Sequence, residues 1–281
     1  MNRSKFVISF FVSLIAFAVK PAFAVDHHKF LDIPYGEHRK QKLDVYFPKF
    51  ARNAPVIFFV HGGAWRIGDK GTRSQVKNKI EKWVSQGMVV VSINYRMLPD
   101  IRPVEQAQDV RKALRFSQQQ AGEWGADASQ FILMGHSAGA HLVSLVSSTP
   151  AVAESMKIEP WLGTVSLDTM AYDVTKIMKG DDVSWFYRNA FGDNPIYWEQ
   201  ASPISQLRAA IPPFLAVCST SRKLDSCSQS QDFIEKLREF GGQGKLLPVN
   251  LSHRKLNVSL GAKSTYTDQV DTFIQQLISS R

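Results

Sequence analysis

The sequence predicts an α/β chain built on a mainly parallel sheet. Short apolar runs at 56–60, 88–93 and 131–134 end at glycine or polar turns, and amphipathic runs with helical spacing, 72–86 and 104–122, lie between them. An apolar residue at nearly every position marks a strand buried on both faces. Helices of about ten or more residues between such strands give right-handed crossovers and parallel pairing.

Residues 1–24 read as an export segment. Arg3 and Lys5 form a basic start, 6–19 is mostly apolar, and Ala22-Phe23-Ala24 is a small-x-small cleavage site. The apolar run is shorter than the roughly 20 residues that span a bilayer, so no stable membrane span is expected after cleavage. An uncleaved N-terminal anchor is the alternative. The expected mature chain, 25–281, is one domain, periplasmic or secreted, with cleavage after Ala24.

The strand at 43–47 alternates, and the run at 56–60 stops at His61-Gly62-Gly63-Ala64-Trp65. The helix at 72–86 presents Val76, Ile80, Trp83 and Val84 on one side and closes at Gly87. After the strand at 88–93 and the helix at 104–122 comes a strand from Phe131 to Gly135. Further short strands are expected at 164–167, 214–218 and 245–251, the last interrupted by Pro248 and so suited to a sheet edge. A helix at 266–278 closes the chain. The segment 172–207 is too long for a tight crossover and carries Trp185, Phe186, Tyr187, Phe191, Tyr197 and Trp198. It reads as a cap insertion that walls a pocket, or as a segment whose aromatics simply cover the core.

The composition is that of a globular protein, 44% hydrophobic and 21% charged with a formal net charge of +9. The Lys and Arg residues are scattered rather than clustered, which argues against a nucleic-acid partner. No metal-ligand spacing of Cys and His and no phosphate-binding glycine loop occurs. Cys218 and Cys227 are the two cysteines. In an oxidising compartment a disulfide between them is the favoured reading, with two buried thiols as the alternative.

The chemistry centres on Gly135-His136-Ser137-Ala138-Gly139, a Gly-x-Ser-x-Gly turn between a buried strand and a small-residue helix. A serine there sits in a strained backbone that lifts its hydroxyl from the sheet edge. It needs a base and a group that orients the base. His253, just after the last strand, is the base by elimination. His27 and His28 abut the cleavage site, His38 precedes the core, His136 and His141 flank the serine too closely, and His61 belongs to another loop. The expected acid is Asp225, after the strand at 214–218 and before His253. Asp232, Asp168 and Asp173 are the alternatives, the last two following the strand at 164–167. Backbone N–H groups of Gly63, Ala64 and Ala138 are the expected oxyanion donors.

With His61 to Trp65, Asn94-Tyr95-Arg96, Asp109, Gly135 to Gly139 and Ala201-Ser202-Pro203, the chain resembles the α/β-hydrolase superfamily. Within it the resemblance is to carboxylesterases and arylformamidases with a His-Gly-Gly-x-Trp loop. The resemblance implies a doubly wound eight-stranded sheet and a Ser–His–Asp hydrolase that needs no metal or cofactor. It also implies structural roles for Arg96 and Asp109. The stretch from Cys218 to Asp225 departs from the short Gly-x-x-Asp turn usual at the acid. The expected function is an exported carboxylic ester hydrolase, using Ser137, His253 and Asp225 through an acyl-enzyme on a small-molecule ester. An arylformamidase-type amide hydrolase is the runner-up, against which the export segment argues. A non-catalytic binding protein on the same scaffold would usually lack a triad member.

Overall fold

A computed structural model describes residues 27–222 and 226–280. The segment at 1–24 and Asp225 lie outside the described residues. The chain runs β1 (His27–Pro34), β2 (Lys42–Pro48), β3 (Ala54–Val60), α1 (Arg73–Ser85), β4 (Val89–Ile93), α2 (Pro103–Gln120), β5 (Ala126–His136) and α3 (Ala138–Ser147). Then follow α4 (Pro150–Ser155), β6 (Gly163–Leu167), four short helices, β7 (Phe214–Ser219), α9 (Ser226–Glu239), β8 (Gly244–Val249), α10 (His253–Ser259) and α11 (Thr265–Ser279). The four short helices are α5 (Val174–Met178), α6 (Trp185–Phe191), α7 (Pro195–Ala201) and α8 (Pro203–Gln206), and they fill the segment expected as a cap.

The eight strands form one sheet in the order β1-β2-β4-β3-β5-β6-β7-β8. The six strands from β4 to β8 in this order are parallel, whereas β2 is antiparallel to β4 and β1 to β2. β8 lies at the edge that Pro248 suggested. β1 was not expected. Most of its residues are exposed, Phe30 and Leu31 by about half, so no buried face imprints an alternation on its sequence.

β3 shows why its run is apolar throughout. Val56, Phe58 and Val60 pack on one face with Val110 and Leu114 of α2 and Leu142 and Val146 of α3. Ile57 and Phe59 point the other way, into a cluster with Trp83 of α1 and Ile274 of α11. Helices therefore cover both faces, and every side chain of 56–60 is fully buried. The chain leaves β3 toward β4 on one side and later returns as β5 on the other. The ends of β3 and β5 are thus neighbours, with Val60 opposite Gly135, at the point where strand order reverses and crevices form.

Truncating the centre of this double-sided core is expected to be costly. Phe58→Ala should lower stability by about 3–5 kcal/mol, read as a shifted urea midpoint at unchanged m value.

Candidate active site

Ser137 stands between β5 and α3 with φ 57° and ψ −117°, a conformation that L residues avoid. Two glycines allow it. A Cβ on Gly135 would lie 2.3 Å from the Gly139 carbonyl oxygen, and one on Gly139 would lie 2.1 Å from that of Val60. The Ser137 N–H donates to Leu167 O at 3.0 Å, which ties the turn to the end of β6.

His253 is the first residue of α10, held there by Ser252, whose hydroxyl oxygen caps the helix by accepting from Lys255 N. Its Nε2 lies 2.9 Å from Ser137 Oγ and its Nδ1 lies 2.6 Å from Asp168 Oδ2. With Nδ1–H donating to the carboxylate, Nε2 is free to accept from the serine hydroxyl. His136, beside the serine, holds the same helix from below. Burial lowers its pKa to about 3, so the ring is neutral, and Nε2–H donates to His253 O at 3.0 Å.

Among the described residues the carboxylate on His253 is Asp168, one of the alternatives to the expected Asp225, which lies outside them. β6 ends at Leu167, and Asp168 turns with φ 56° while its N–H donates to Val217 O at 2.8 Å. This puts the carboxylate directly at the sheet edge beside Ser137. Asp168 has no exposed side-chain surface. Its Oδ1 accepts from Ser219 N at 2.9 Å and Ser226 Oγ at 2.6 Å. Oδ2 takes Arg222 Nη1 at 3.2 Å as well as the imidazole. Arg222 Nη1 is also 3.4 Å from His253 Nδ1, and with both nitrogens protonated the two are donors converging on one oxygen. Burial raises the Asp168 pKa. The hydrogen bonds from His253, Ser226 and Ser219 and the Arg222 charge outweigh that, and the net value is about 2.

Cys218 and Cys227 are joined in a disulfide. They adjoin Ser219 and Ser226, the two residues that donate to Asp168 Oδ1, so the crosslink braces the acid's own partners. Asp232 lies within α9 and pairs with Lys176, and Asp173 caps α5; neither meets His253. Arg222, Ser219 and Ser226 were not anticipated, and only the neighbouring cysteines could have drawn attention to the two serines.

After β3 the chain takes φ values of 135°, 50° and 59° at Gly63, Ala64 and Trp65. A Cβ on Gly63 would come within 1.8 Å of Ile67 O. Trp65 anchors the turn: its Nε1 donates to His141 Nδ1 at 3.1 Å, and His141 Nε2 donates on to Ala201 O at 2.7 Å. Burial lowers His141 to about 4 and keeps it neutral. Gly63, Ala64 and Ala138 line the cavity that holds Ser137 and His253. Ala138 opens α3, so its N–H has no partner within the helix. The cavity measures about 530 Å³, and Phe186 and Tyr187 of α6 form part of its wall. Arg96 and Asp109 lie outside it, paired at 2.7 and 2.9 Å in a structural ion pair with Gln41. Among the described residues no cluster could hold a metal ion.

Fold and site together define an α/β-hydrolase. A family model described as BD-FAE matches residues 43–237, and the chain belongs to that family. Esterase LipQ of Mycobacterium tuberculosis is 31% identical over 225 residues, covering 75% of this chain and 53% of LipQ. A probable isoprenylcysteine alpha-carbonyl methylesterase of Arabidopsis thaliana is 24% identical, covering 88% of this chain and 54% of that protein. The chain thus spans about half the length of the curated relatives it matches. Among solved structures, a truncated carbohydrate esterase from gut microbiota superposes with a TM-score of 0.78 at 19% identity, covering 92% and 98% of the two chains. Esterase B of Lactobacillus rhamnosis gives a TM-score of 0.72 at 22% identity, covering 91% and 88%. These likenesses establish the fold.

Two stability measurements follow from the acid's surroundings. The Asp168 carboxyl titrates below an unfolded aspartate, near 3.8. Its contribution, on the order of 2 kcal/mol, is therefore complete above that pH and lost as the pH falls toward 2. The urea stability gap between the wild type and Asp168→Asn should narrow from about pH 6 to about pH 2.5. Replacing both Cys218 and Cys227 by serine should cost about 2–3 kcal/mol and lower turnover as well, because the clamp on Asp168 loosens.

Proposed function

We propose that the protein is an exported serine hydrolase of carboxylic esters, with Ser137 as nucleophile, His253 as base and Asp168 as the acid that orients it. The continuous chain from Ser137 Oγ to His253 Nε2 and from His253 Nδ1 to Asp168 Oδ2, at 2.9 and 2.6 Å, carries this reading. The esterase names of the relatives support it. Export is supported by the basic and apolar start of the sequence and by the Cys218–Cys227 disulfide, which favours an oxidising compartment.

In this mechanism Ser137 Oγ attacks the acyl carbon as its proton passes to His253 Nε2. The carbonyl π electrons move onto oxygen, where N–H groups of Gly63, Ala64 and Ala138 receive the charge. The intermediate collapses with cleavage of the ester C–O bond, and His253 returns its proton to the leaving alcohol. A water then attacks the acyl-enzyme with His253 again as base, releasing the acid and restoring Ser137. Asp168 stays ionised throughout and stabilises the imidazolium. The cavity is of a size suited to a small-molecule ester.

The test is hydrolysis of p-nitrophenyl acetate, butyrate and a long-chain ester by the wild type and three variants. Ser137→Ala, His253→Ala and Asp168→Asn should each lower kcat by about 10⁴-fold or more, whereas Asp225→Asn should stay within a few-fold of wild type. Turnover unchanged in Ser137→Ala would refute the assignment, and a collapse confined to Asp225→Asn would return the acid to that residue. Gly63→Ala, which forces the Ile67 carbonyl aside, should lower kcat by about 10²-fold with little change in KM.

A further inference from the structure

Two cavities meet at Ile67 and Gly68. One holds Ser137 and His253, and the other, about 440 Å³, is lined by Arg39, Lys40, Arg66 and Asp100. The first is lined by one acid, Asp168, and two arginines, Arg222 and Arg254. Asp168 already accepts from His253, Arg222, Ser219 and Ser226. A carboxylate offers about four such sites, so nothing remains for Arg254. Among the described residues none of Arg39, Lys40, Arg66 and Arg254 is in an ion pair. Arg66 instead donates to the neutral Asn189 at 3.1 Å and lies 5.6 Å from the exposed Trp185 ring.

In proportion, this surplus exceeds that of the whole molecule. The chain sets 34 basic side chains against 25 acidic ones. Among the described lining residues the two cavities set Arg39, Lys40, Arg66, Arg222 and Arg254 against Asp100 and an Asp168 with no free site. Low-dielectric walls lined by one sign of charge focus the field and concentrate ligands of the opposite sign. Two of these cations, Arg222 and Arg254, stand beside His253. Arg254 follows His253 in the chain, and Arg222 approaches the His253 ring to 3.4 Å. His253 is the group that protonates the departing alcohol.

Building on the ester-hydrolase reading, we infer that the natural substrate carries a fixed negative charge, a carboxylate or a sulfate, on its alcohol portion. The charge is drawn in by the field of the adjoining cavities and held on the His253 side while the ester bond is cleaved. The reaction is ordinary ester hydrolysis and needs no further reactant beyond water.

The experiment compares 4-acetoxybenzoate and 4-acetoxybenzenesulfonate with the neutral 4-acetoxybenzamide, using the full chain. Each kcat/KM is divided by that ester's own rate of alkaline hydrolysis. At low salt the anionic esters should be favoured by about tenfold, and the preference should fall toward parity in about 0.5 M NaCl. A response to benzoate alone, or to sulfonate alone, assigns the anion. Arg254→Gln and Arg66→Gln should each lower the ratio of anionic to neutral ester turnover a few-fold. Equal rates for charged and neutral esters at low salt would overturn the inference while leaving the esterase reading intact. So would a preference that survives in the double variant. If no ester is turned over and a fluorophosphonate probe leaves Ser137 unlabelled, the esterase reading falls and this inference with it.

Discussion

A carboxylate without solvent contact persists as an anion only where its lone pairs are filled, and Asp168 fills them from four directions. His253 comes from the start of α10, Ser219 from the end of β7, Ser226 from the start of α9, and Arg222 from the chain between those last two. Each charge-assisted bond contributes about 1.5–3 kcal/mol, which together offset a desolvation cost of several kcal/mol. The acid is thus the knot at which the carboxyl ends of β6 and β7 and two helices meet. The Cys218–Cys227 disulfide closes beside it, so the polypeptide that supplies the donors has little room to drift.

Ser137 and the turn after β3 hang on the same logic of fixed approach. Ser137 keeps a positive φ because α3 and β3 press against the glycines on either side of it, leaving no room for relaxation. The turn at Gly63 and Ala64 is held from two sides, by the closeness of Ile67 and by the relay from Trp65 through His141 to Ala201. That relay joins the end of β3 to α3 and to the end of α7. A group that must receive an oxyanion gains from such rigidity, since no reorganisation is left to be done when charge develops.

Much of this was legible in the sequence because it is local. Apolar runs at 56–60 and 131–134, helical spacing between them and a glycine-flanked serine all signal through near neighbours, and His253 followed by elimination. The acid was harder. Asp168 and Asp225 both follow a parallel strand, and the choice depends on which strand end faces the imidazole, a relation across the sheet that no spacing records. Asp168 does follow its strand without a gap, which the long stretch from Cys218 to Asp225 does not. β1 was invisible for the opposite reason: an exposed edge strand buries no face and so imposes no pattern.

Lys79 shows how far the positioning of His253 extends beyond the site. It is almost wholly buried on α1, with Nζ 4.9 Å from the Phe59 ring centre. Burial lowers its pKa to about 7. Nζ donates to Gln75 O at 2.8 Å on its own helix, and across to Asn257 O and Oδ1 at 2.7 and 2.8 Å. Asn78, one residue earlier, donates to Val258 O at 2.7 Å. Apolar residues would hold α1 against α10 at lower desolvation cost, but they would allow the short helix to slide. Hydrogen bonds at defined atoms fix its register. Because His253 is the first residue of that helix, register there becomes the distance from Nε2 to Ser137 Oγ. The buried ammonium, the His136 bond to His253 O and the Asp168 clamp therefore act on one quantity from three sides.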